Sequence, residues 1–509
     1  MLAACLLPSE AWASAPLAGA AGDEVVNKVE QGTIRGQRLD GVDRYLGLPF
    51  AKPPVGALRW QPPQAPDHWD GTRDARHFGP ACAQIGNFYT SNQADTFDRP
   101  YGREDCLYLN VWAPQKRGPA KPVIVFIHGG GSISGAASLP LYDGRRLATE
   151  LDVVFVSINY RLGFFGIVDL PALKTGDPRT DSGSFALLDQ IRALEWVQQN
   201  IASFGGDASK VVVMGHSAGC TSIWNLMSSP LASGKFGKVV CLSGMPRQSS
   251  DEERSASSKK LLAHLLLSDG RIASEDQADA YLRTTSPAAL RTYLYAKPAS
   301  DIVIAARGVR PVRERVDGHV LTAGKDGPLV NPVPAILGTT RDEAQLLLIS
   351  HFGPRDFGAM WKLMQSPKAL TESDFFASRI DRIEFKLTSW VVNRVLHRYL
   401  DRATRLLAAT SVPVYRYEFE WDHSPEPWRS LLGAYHGIDV SFLFGNFSTD
   451  APDFASFAWR GRDPGELERV HREMVAALRG FIDADDPDRY EPDLRWQRWS
   501  GPDNDKIFR

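Results

Sequence analysis

Residues 211–219, with the sequence VVVMGHSAG, constrain the fold of this chain more than any other segment. Three β-branched residues without a polar break are typical of a strand buried on both faces, as in the centre of a parallel sheet. Gly215-His216-Ser217-Ala218-Gly219 then fits G-x-S-x-G, a tight strand-to-helix turn that exposes a serine hydroxyl. Residues 220–227 can form a helix, whose N-terminal amides would favour negative charge developing beside Ser217. An ordinary glycine-rich turn is the alternative interpretation.

Predicted strands and helices alternate around this turn. We expect strands at 122–127, 153–159, 238–242, 332–337 and 412–421, and helices at 185–201, 375–408 and 466–482. This alternation implies right-handed crossovers and a mostly parallel sheet. Glycine turns in residues 25–50 predict antiparallel hairpins, and the prolines of residues 51–70 predict irregular surface chain. The polar segment 249–297 is expected to be a helical insertion outside the sheet.

A glycine run, His128-Gly129-Gly130-Gly131, follows the predicted strand at 122–127. Glycines at a strand end let backbone amides approach a ligand closely, as an oxyanion or a phosphate requires. The run is not G-x-G-x-x-G, so it gives little support to a dinucleotide site. A flexible turn is the other interpretation of the same residues.

The composition excludes several classes of partner. The 509 residues carry a net charge of −2, with 43% apolar and 23% charged residues, which is ordinary for a globular protein. We therefore expect no nucleic-acid partner, and no apolar run is long enough to predict a membrane span. Without CxxC, HExxH or GxxxxGK[ST], we also expect no metal and no cofactor.

The cysteines and the N-terminus bear on the compartment. Cys82 and Cys106 bracket a polar loop, where a bridge would remove about 3 kcal/mol of unfolded-chain freedom and would suit an oxidising compartment. Cys220 and Cys241 have apolar neighbours and are expected to be buried free thiols. Residues 1–21 predict either a secretory signal that lacks its basic start or a disordered tail. The expected location is secreted or periplasmic.

Seven motifs, in this chain order, resemble those of the type-B carboxylesterases, the cholinesterase-like branch of the α/β-hydrolases. They are GLPFAKPP at 47–54, EDCLYLN at 104–110, HGGG at 128–131, NYR at 159–161, FGGD at 204–207, DE at 342–343 and HG at 436–437. The resemblance implies one domain over residues 22–509 with the α/β-hydrolase fold. That fold has a mostly parallel central sheet flanked by helices, an antiparallel N-terminal part and helical insertions. The implied partner is a small ester substrate, and the oligomeric state stays open.

The resemblance also implies roles for particular residues. Ser217 would be the nucleophile, His436 the general base and Glu343 the acid that orients it, although Asp342 competes with Glu343 on sequence grounds. Backbone amides would form the oxyanion hole, and they belong to Gly130, Gly131 and Ala218. A disulfide between Cys82 and Cys106 and an ion pair between Arg59 and Glu104 are implied as structural features.

Departures from the family pattern concern the substrate. No tryptophan lies between Cys82 and Cys106, where cholinesterases carry one to bind a quaternary ammonium, so a choline ester is not expected. Ser132 stands where the family usually has phenylalanine, which should open or polarise the site. His216 stands where it usually has glutamate, and it can tune the electrostatics or simply pack.

Residues 307–318, RGVRPVRERVDG, align with the acyl-pocket loop of cholinesterases and carry arginines where aromatic residues stand. If Arg310 and Arg313 face inward, they would bind an acyl group that carries a carboxylate. A solvated surface run, partly paired with Glu314, is the alternative. Fumonisin esterases, bacterial members of the family that cleave tricarballylate esters, are one precedent for such a substrate.

Two other kinds of function compete with a secreted serine esterase. The first is a non-catalytic adhesion-type ectodomain, although such relatives usually lack part of the triad. The second is a lipase acting on lipid aggregates, which would need an apolar lid, whereas residues 249–297 are polar.

Overall fold

A 12-stranded sheet organises the protein. The computed structural model describes residues 23–115, 118–366, 368–447 and 455–509, so the predicted signal-like or disordered segment 1–21 lies outside the described residues. The strands are β1 (Glu24–Val29), β2 (Gly32–Leu39), β3 (Val42–Pro49), β4 (Thr72–Asp74), β5 (Gln84–Ile85), β6 (Pro100–Tyr101), β7 (Tyr108–Pro114), β8 (Lys121–Ile127), β9 (Val154–Ile158), β10 (Gly206–His216), β11 (Lys238–Leu242), β12 (Ala335–Thr340), β13 (Val414–Phe419) and β14 (Lys506–Phe508).

The sheet has an antiparallel N-terminal part and a parallel centre, as predicted. Its order is β1-β2-β3-β7-β9-β8-β10-β11-β12-β13-β14, with β4 beside β2, while β5 and β6 form a separate pair. The pairs from β1 to β9 along this order are antiparallel. From β9 to β14 every pair is parallel, which places the carboxyl ends of β8, β10 and β12 at one edge. Ligand sites of α/β sheets lie at this edge.

Helices cover both faces of the sheet. They are α1 (Arg145–Leu151), α2 (Gly163–Gly166), α3 (Pro178–Asp181), α4 (Phe185–Asn200), α5 (Ala218–Met227), α6 (Asp251–Ser268), α7 (Ala278–Thr284), α8 (Pro287–Tyr295), α9 (Ala299–Ala305), α10 (Glu343–Phe352), α11 (Phe357–Met364), α12 (Arg379–Ala408), α13 (Trp428–Leu432), α14 (Ile438–Phe444) and α15 (Pro464–Ala484). Two buried apolar clusters, one containing Val213 and the other Met214, show that alternate residues of β10 point to opposite cores. No helix in the described ranges is long and apolar enough to cross a membrane.

Two elements begin later than predicted, because a helix cap or a proline determines their first residue. The helix predicted from residue 375 begins at Arg379, because the Ser378 side chain accepts a hydrogen bond from the Asp381 amide as an N-cap. The strand predicted from residue 332 begins at Ala335, just after Pro334, which has no amide hydrogen for the sheet. The predicted insertion is helical, and it comprises α6, α7 and α8.

The expectation that Cys220 and Cys241 are free thiols is wrong. The structure joins them in a disulfide with a Cα–Cα distance of 4.8 Å. Because α5 begins directly after β10, its first turn lies over the neighbouring strand β11, within disulfide reach. The Cys82–Cys106 bridge is present as expected, with a Cα–Cα distance of 4.9 Å.

A buried ion pair connects the end of β9 to α4. The Arg161 guanidinium donates to both carboxylate oxygens of Asp189, at 2.7 and 2.8 Å, and the Arg161 amide donates to the same carboxylate at 3.0 Å. Burial raises the pKa of Asp189, and Arg161 opposes this rise. Neither side chain reaches solvent to any extent, so each neutralises a charge that could not otherwise be buried.

Asp189→Ala should lower the free energy of unfolding by about 3–5 kcal/mol, because it leaves the Arg161 charge buried and unpaired. Urea denaturation measures this loss. Asp74→Ala is the matched control, since Asp74 pairs with Arg76 at the surface and should contribute less than about 1 kcal/mol. Equal effects of the two substitutions would contradict the assignment.

Candidate active site

The turn after β10 has the geometry that the G-x-S-x-G pattern predicts. Ser217 adopts φ 55° and ψ −115°, a strained conformation for a residue with a side chain, and its amide donates to the Leu242 carbonyl oxygen at 2.8 Å. A Cβ on Gly219 would lie 2.1 Å from the carbonyl oxygen of Ile127, so only glycine fits there. The Ser217 hydroxyl makes no hydrogen bond to any described residue and is accessible at the N-terminus of α5.

The glycine run after β8 packs against this turn. A Cβ on Gly129 would lie 3.1 Å from the Ser217 Cβ, and Gly130 has a φ of 100°, a conformation that only glycine adopts readily. Tyr160 fixes the start of the run, because its hydroxyl donates to the His128 carbonyl oxygen at 2.9 Å. The His128 ring stacks on Tyr160, and its Nδ1 donates to the Gly129 carbonyl oxygen, so His128 has a structural role.

Three backbone amides remain available beside Ser217. Within the described ranges, no group accepts a hydrogen bond from the amides of Gly130, Gly131 or Ala218. Their carbonyl groups, in contrast, are used: the Ser134 amide and hydroxyl both donate to the Gly130 carbonyl oxygen at 3.0 Å. A loop whose carbonyls are bonded and whose amides are unpaired can stabilise an anionic oxygen.

Glu343 and His436 meet at the same edge of the sheet. Glu343 begins α10 three residues after β12, and its Oε2 accepts a hydrogen bond from His436 Nδ1. The other oxygen, Oε1, accepts from Thr339 Oγ1 at 2.8 Å and from the Thr340 amide at 2.9 Å. Asp342, the competing acid, turns away to the Ala434 amide at 3.0 Å. The structure thus brings Glu343, rather than Asp342, to the histidine.

Electrostatics favour an ionised acid beside this imidazole. Burial opposes ionisation of Glu343, but the charge and hydrogen bond of His436 and the Thr340 amide bring its pKa down to about 2. Burial alone would lower the pKa of His436, whereas the Glu343 carboxylate raises it above its ordinary value. Since Nδ1 faces Glu343, Nε2 is the nitrogen left to exchange a proton.

His216 lies between the turn and the His436 loop. Its ring lies against that of His436 in a tilted arrangement, with the centroids 4.8 Å apart and 36° between the planes, and a Cβ on Gly437 would lie 2.9 Å from the His216 ring. Both ring nitrogens are buried and have no hydrogen-bond partner in the described part of the chain. Burial, followed by the proximity of His436, lowers the pKa of His216 to about 3, so this imidazole is uncharged at neutral pH.

The arginines of residues 307–318 separate into outer and inner positions. The Arg310 side chain is 80% exposed and pairs with Glu253, and Arg315 pairs with Asp251. Arg313 lies inside, where its Nη1 donates to the Gly131 carbonyl oxygen at 3.0 Å. Half of the run is therefore exposed surface, Val309, Val312 and Glu314 are buried, and one arginine reaches the oxyanion loop.

Two polar residues of this region were not singled out from the sequence. Thr339 holds Glu343, and Asp439 is buried near His436 and accepts a hydrogen bond from the Tyr417 hydroxyl at 2.7 Å. Burial raises the pKa of Asp439 to about 6. The signal for Thr339 was its place at the carboxyl end of a predicted parallel strand. Asp439 carried no signal beyond lying three residues after His436.

Comparisons with known proteins agree on one family. The profile of the carboxylesterase family matches residues 23–509. The chain is 32% identical over 429 residues to the para-nitrobenzyl esterase of Bacillus subtilis, covering 82% of each sequence. It is 34% identical over 463 residues to the pyrethroid hydrolase Ces2a of Mus musculus, covering 84% of this chain and 78% of that protein.

A further relative matches over a shorter stretch, and solved structures share the fold. The fumonisin B1 esterase of Sphingopyxis macrogoltabida is 41% identical over 242 residues, which is 47% of this chain and 42% of that protein. A PNB esterase structure superposes with a TM-score of 0.72 at 27% identity, covering 93% of both chains. The carboxylesterase EST55 of Geobacillus stearothermophilus gives 0.69 at 28% identity, covering 94% of this chain and 93% of its own. The chain therefore belongs to the carboxylesterase family and hydrolyses carboxylic esters.

Proposed function

We propose that this carboxylesterase works through an acyl-enzyme on Ser217, with His436 as general base and Glu343 as its acid. The observation that carries the proposal is the hydrogen bond between His436 Nδ1 and the buried Glu343 carboxylate, at the sheet edge where Ser217 also lies. A serine hydroxyl is a weak nucleophile until a positioned base takes its proton. The buried carboxylate then stabilises the imidazolium that forms.

The steps follow from the positions of these groups. Ser217 Oγ attacks the ester carbonyl while His436 Nε2 takes its proton, and the carbonyl oxygen becomes an anion facing the amides of Gly130, Gly131 and Ala218. The imidazolium returns the proton to the leaving alcohol, and the acyl group stays on Ser217. Water then repeats the attack with the same proton transfers and releases the acid. Each amide of such a hole contributes about 2.7–4 kcal/mol to transition-state stability.

The substrate we propose is an ester with an anionic, polycarboxylic acyl group, such as a tricarballylate ester. Arg313 supports this, because its half-buried guanidinium bonds only the carbonyl oxygens of Gly131 and Val312 and forms no ion pair with any described residue. Burial lowers the pKa of Arg313, and the neighbouring charge of Glu314 only partly opposes this. A cation in this position lacks a counter-ion that a substrate carboxylate would supply. The fumonisin B1 esterase is a relative consistent with such a substrate.

Ser132 and His216 complete the proposed binding residues. Ser132 follows the glycine run with a φ of 59°, and its carbonyl oxygen is held by the Gly163 amide at 2.7 Å. Its hydroxyl makes no hydrogen bond to the residues that the structure describes and can serve the substrate. His216 contributes by being uncharged, since a carboxylate in its place would repel an anionic acyl group. Arg310, which points to solvent, is not part of this proposed site.

The compartment we propose is extracellular or periplasmic. Two disulfides, Cys82–Cys106 and Cys220–Cys241, lie in buried parts of the fold. Such bridges form and persist in oxidising compartments.

Ser217→Ala should abolish covalent labelling by an organophosphate, because the reagent captures the activated hydroxyl. Mass spectrometry of the peptide that contains residue 217 measures the adduct. Ser209→Ala, at an exposed serine that bonds Asp207, should label like the unsubstituted protein. An unlabelled parent protein would instead favour the non-catalytic, adhesion-type alternative.

The pH dependence of kcat/KM should show a midpoint above 6.5, because His436 must be neutral to accept a proton and Glu343 raises its pKa. Glu343→Gln removes the charge that raises this pKa, so the midpoint should move to lower pH while kcat falls by roughly 10⁴-fold. Asp342→Asn, one residue away, should leave the midpoint where it is. A midpoint that moves with Asp342 and not with Glu343 would reverse the assignment.

Arg313→Ala should lower kcat/KM for a tricarballylate ester about 10–100-fold more than for a neutral ester of similar size, because only the former loses a charge-assisted bond. Steady-state kinetics on the two substrates give this ratio. Arg310→Ala is the control and should change neither value appreciably. An unchanged ratio in Arg313→Ala would remove the anionic substrate and leave the esterase mechanism standing.

A further inference from the structure

Helix α12 exposes a continuous row of large apolar side chains. Seven of them are between 42% and 67% exposed, and they make up a large share of such side chains in the described part of the protein. They are Ile380, Ile383, Leu387, Trp390, Val391, Val395 and Tyr399. We call them the α12 ridge. Single exposed apolar side chains scattered over a surface are normal, whereas a contiguous apolar patch of this kind marks an interaction site.

The ridge lies opposite the face by which α12 joins the protein. That inner face buries Phe385, Ser389, Leu400, Ala403, Thr404 and Leu407. A helix that is apolar on two opposite faces is normally covered on both. The inner face accounts for the fold, and the α12 ridge is left without a covering element among the described residues.

The spacing of the ridge identifies the kind of partner. Ile383, Leu387, Val391, Val395 and Tyr399 follow one another at intervals of four residues and form a single row along the helix. Rows of this spacing interdigitate when two helices cross at about −50°, the commonest packing class in globular proteins. The row is also symmetric about Val391, with two large apolar residues on each side. A surface of this kind can pack against a copy of itself across a two-fold axis.

One pair of charged side chains on this face of α12 obeys the same symmetry. Glu384 lies seven residues before Val391 and Arg398 lies seven residues after it. Both are exposed, and neither forms an ion pair within the described chain. A two-fold axis through Val391 places Glu384 of one copy opposite Arg398 of the other, twice per dimer. Opposite charges at matched distances from the axis favour a second copy of this chain over an apolar surface without charge pattern.

We propose that the α12 ridge is the interface of a homodimer, in which two copies of α12 pack across a two-fold axis at Val391. One side chain of the same helix, Asn393, forms hydrogen bonds next to the candidate active site. Asn393 Oδ1 accepts a hydrogen bond from the Ala344 amide at 2.7 Å, and its Nδ2 donates to Gln345 Oε1 at 3.0 Å. Ala344 follows Glu343, so the helix that pairs between copies also fixes the turn that carries the acid. This inference does not depend on the proposed substrate.

Sedimentation velocity over protein concentrations of roughly 1–100 μM tests the proposal with the full chain. We expect the protein to reach dimer in this range and Val391→Arg to raise the dissociation constant at least about 100-fold, because two like charges then meet on the axis. Ile304→Arg, at an equally exposed apolar residue on α9, should leave the dimer unchanged. Retained ester hydrolysis and an unchanged circular dichroism spectrum show that each variant is folded.

Charge exchange tests the two-fold axis itself. Glu384→Arg and Arg398→Glu should each weaken the dimer, whereas the double variant E384R/R398E should restore it, because each reversed charge again faces its opposite. A protein that stays monomeric, a dimer that Val391→Arg leaves intact, or a double variant that stays dissociated would overturn the proposal. So would a monomer that binds phosphatidylcholine vesicles through the ridge, since that result would assign the surface to lipid.

Discussion

The approach of the Gly219 backbone to the Ile127 carbonyl oxygen is the constraint on which the rest of the site depends. At this contact the first turn of α5 lies directly against the end of β8, with no room for a single added carbon. The contact sets the distance between the serine turn and the glycine run, and thereby the distance between the proposed nucleophile and the amides proposed to stabilise its intermediate. Preorganised donors act without reorganising during the reaction, so this distance has to be built into the backbone. The strained Ser217 conformation is a consequence of the same close packing.

The charged groups of the site are buried. Glu343 is held ionised by His436 and by two hydrogen-bond donors from the end of β12. His216, which contacts His436, is held neutral by burial. The pKa values of two imidazoles in contact are therefore shifted in opposite directions: that of His436 is raised and that of His216 is lowered. Perturbations in opposite directions on neighbouring groups are typical of catalytic sites. Here they follow from which imidazole has a carboxylate within hydrogen-bond reach.

Much of this arrangement could be predicted from the sequence, because the positions of strands along the chain and the positions of glycines are local properties. Apolar runs gave the strands, and the chain order of Ser217, Glu343 and His436 gave residues that the fold gathers at one sheet edge. The pairing of Cys220 with Cys241 could not be predicted in this way, since it depends on how α5 lies over β11. The sequence also could not predict that Arg313 points inward and Arg310 outward, because an irregular segment has no periodicity from which side-chain orientation can be inferred. The outer face of α12 was missed because its exposed apolar side chains alternate with charged ones, so the sequence does not distinguish it from an ordinary solvated helix face.

The Cys220–Cys241 bridge gives the serine turn a covalent anchor on the side opposite the Gly219 contact. Between these two fixed points, the reacting geometry is insulated from changes elsewhere in the chain. Residues 307–318 meet that geometry through the Arg313 guanidinium, which donates to the Gly131 carbonyl oxygen, and through the buried Glu314 carboxylate, which accepts a hydrogen bond from Asn225 of α5. The serine turn is thus held from two sides, whereas residues 307–318 form no helix or strand. Such a division lets descendants of one scaffold acquire new substrates by exchanging a dozen residues, while the reaction they perform stays the same.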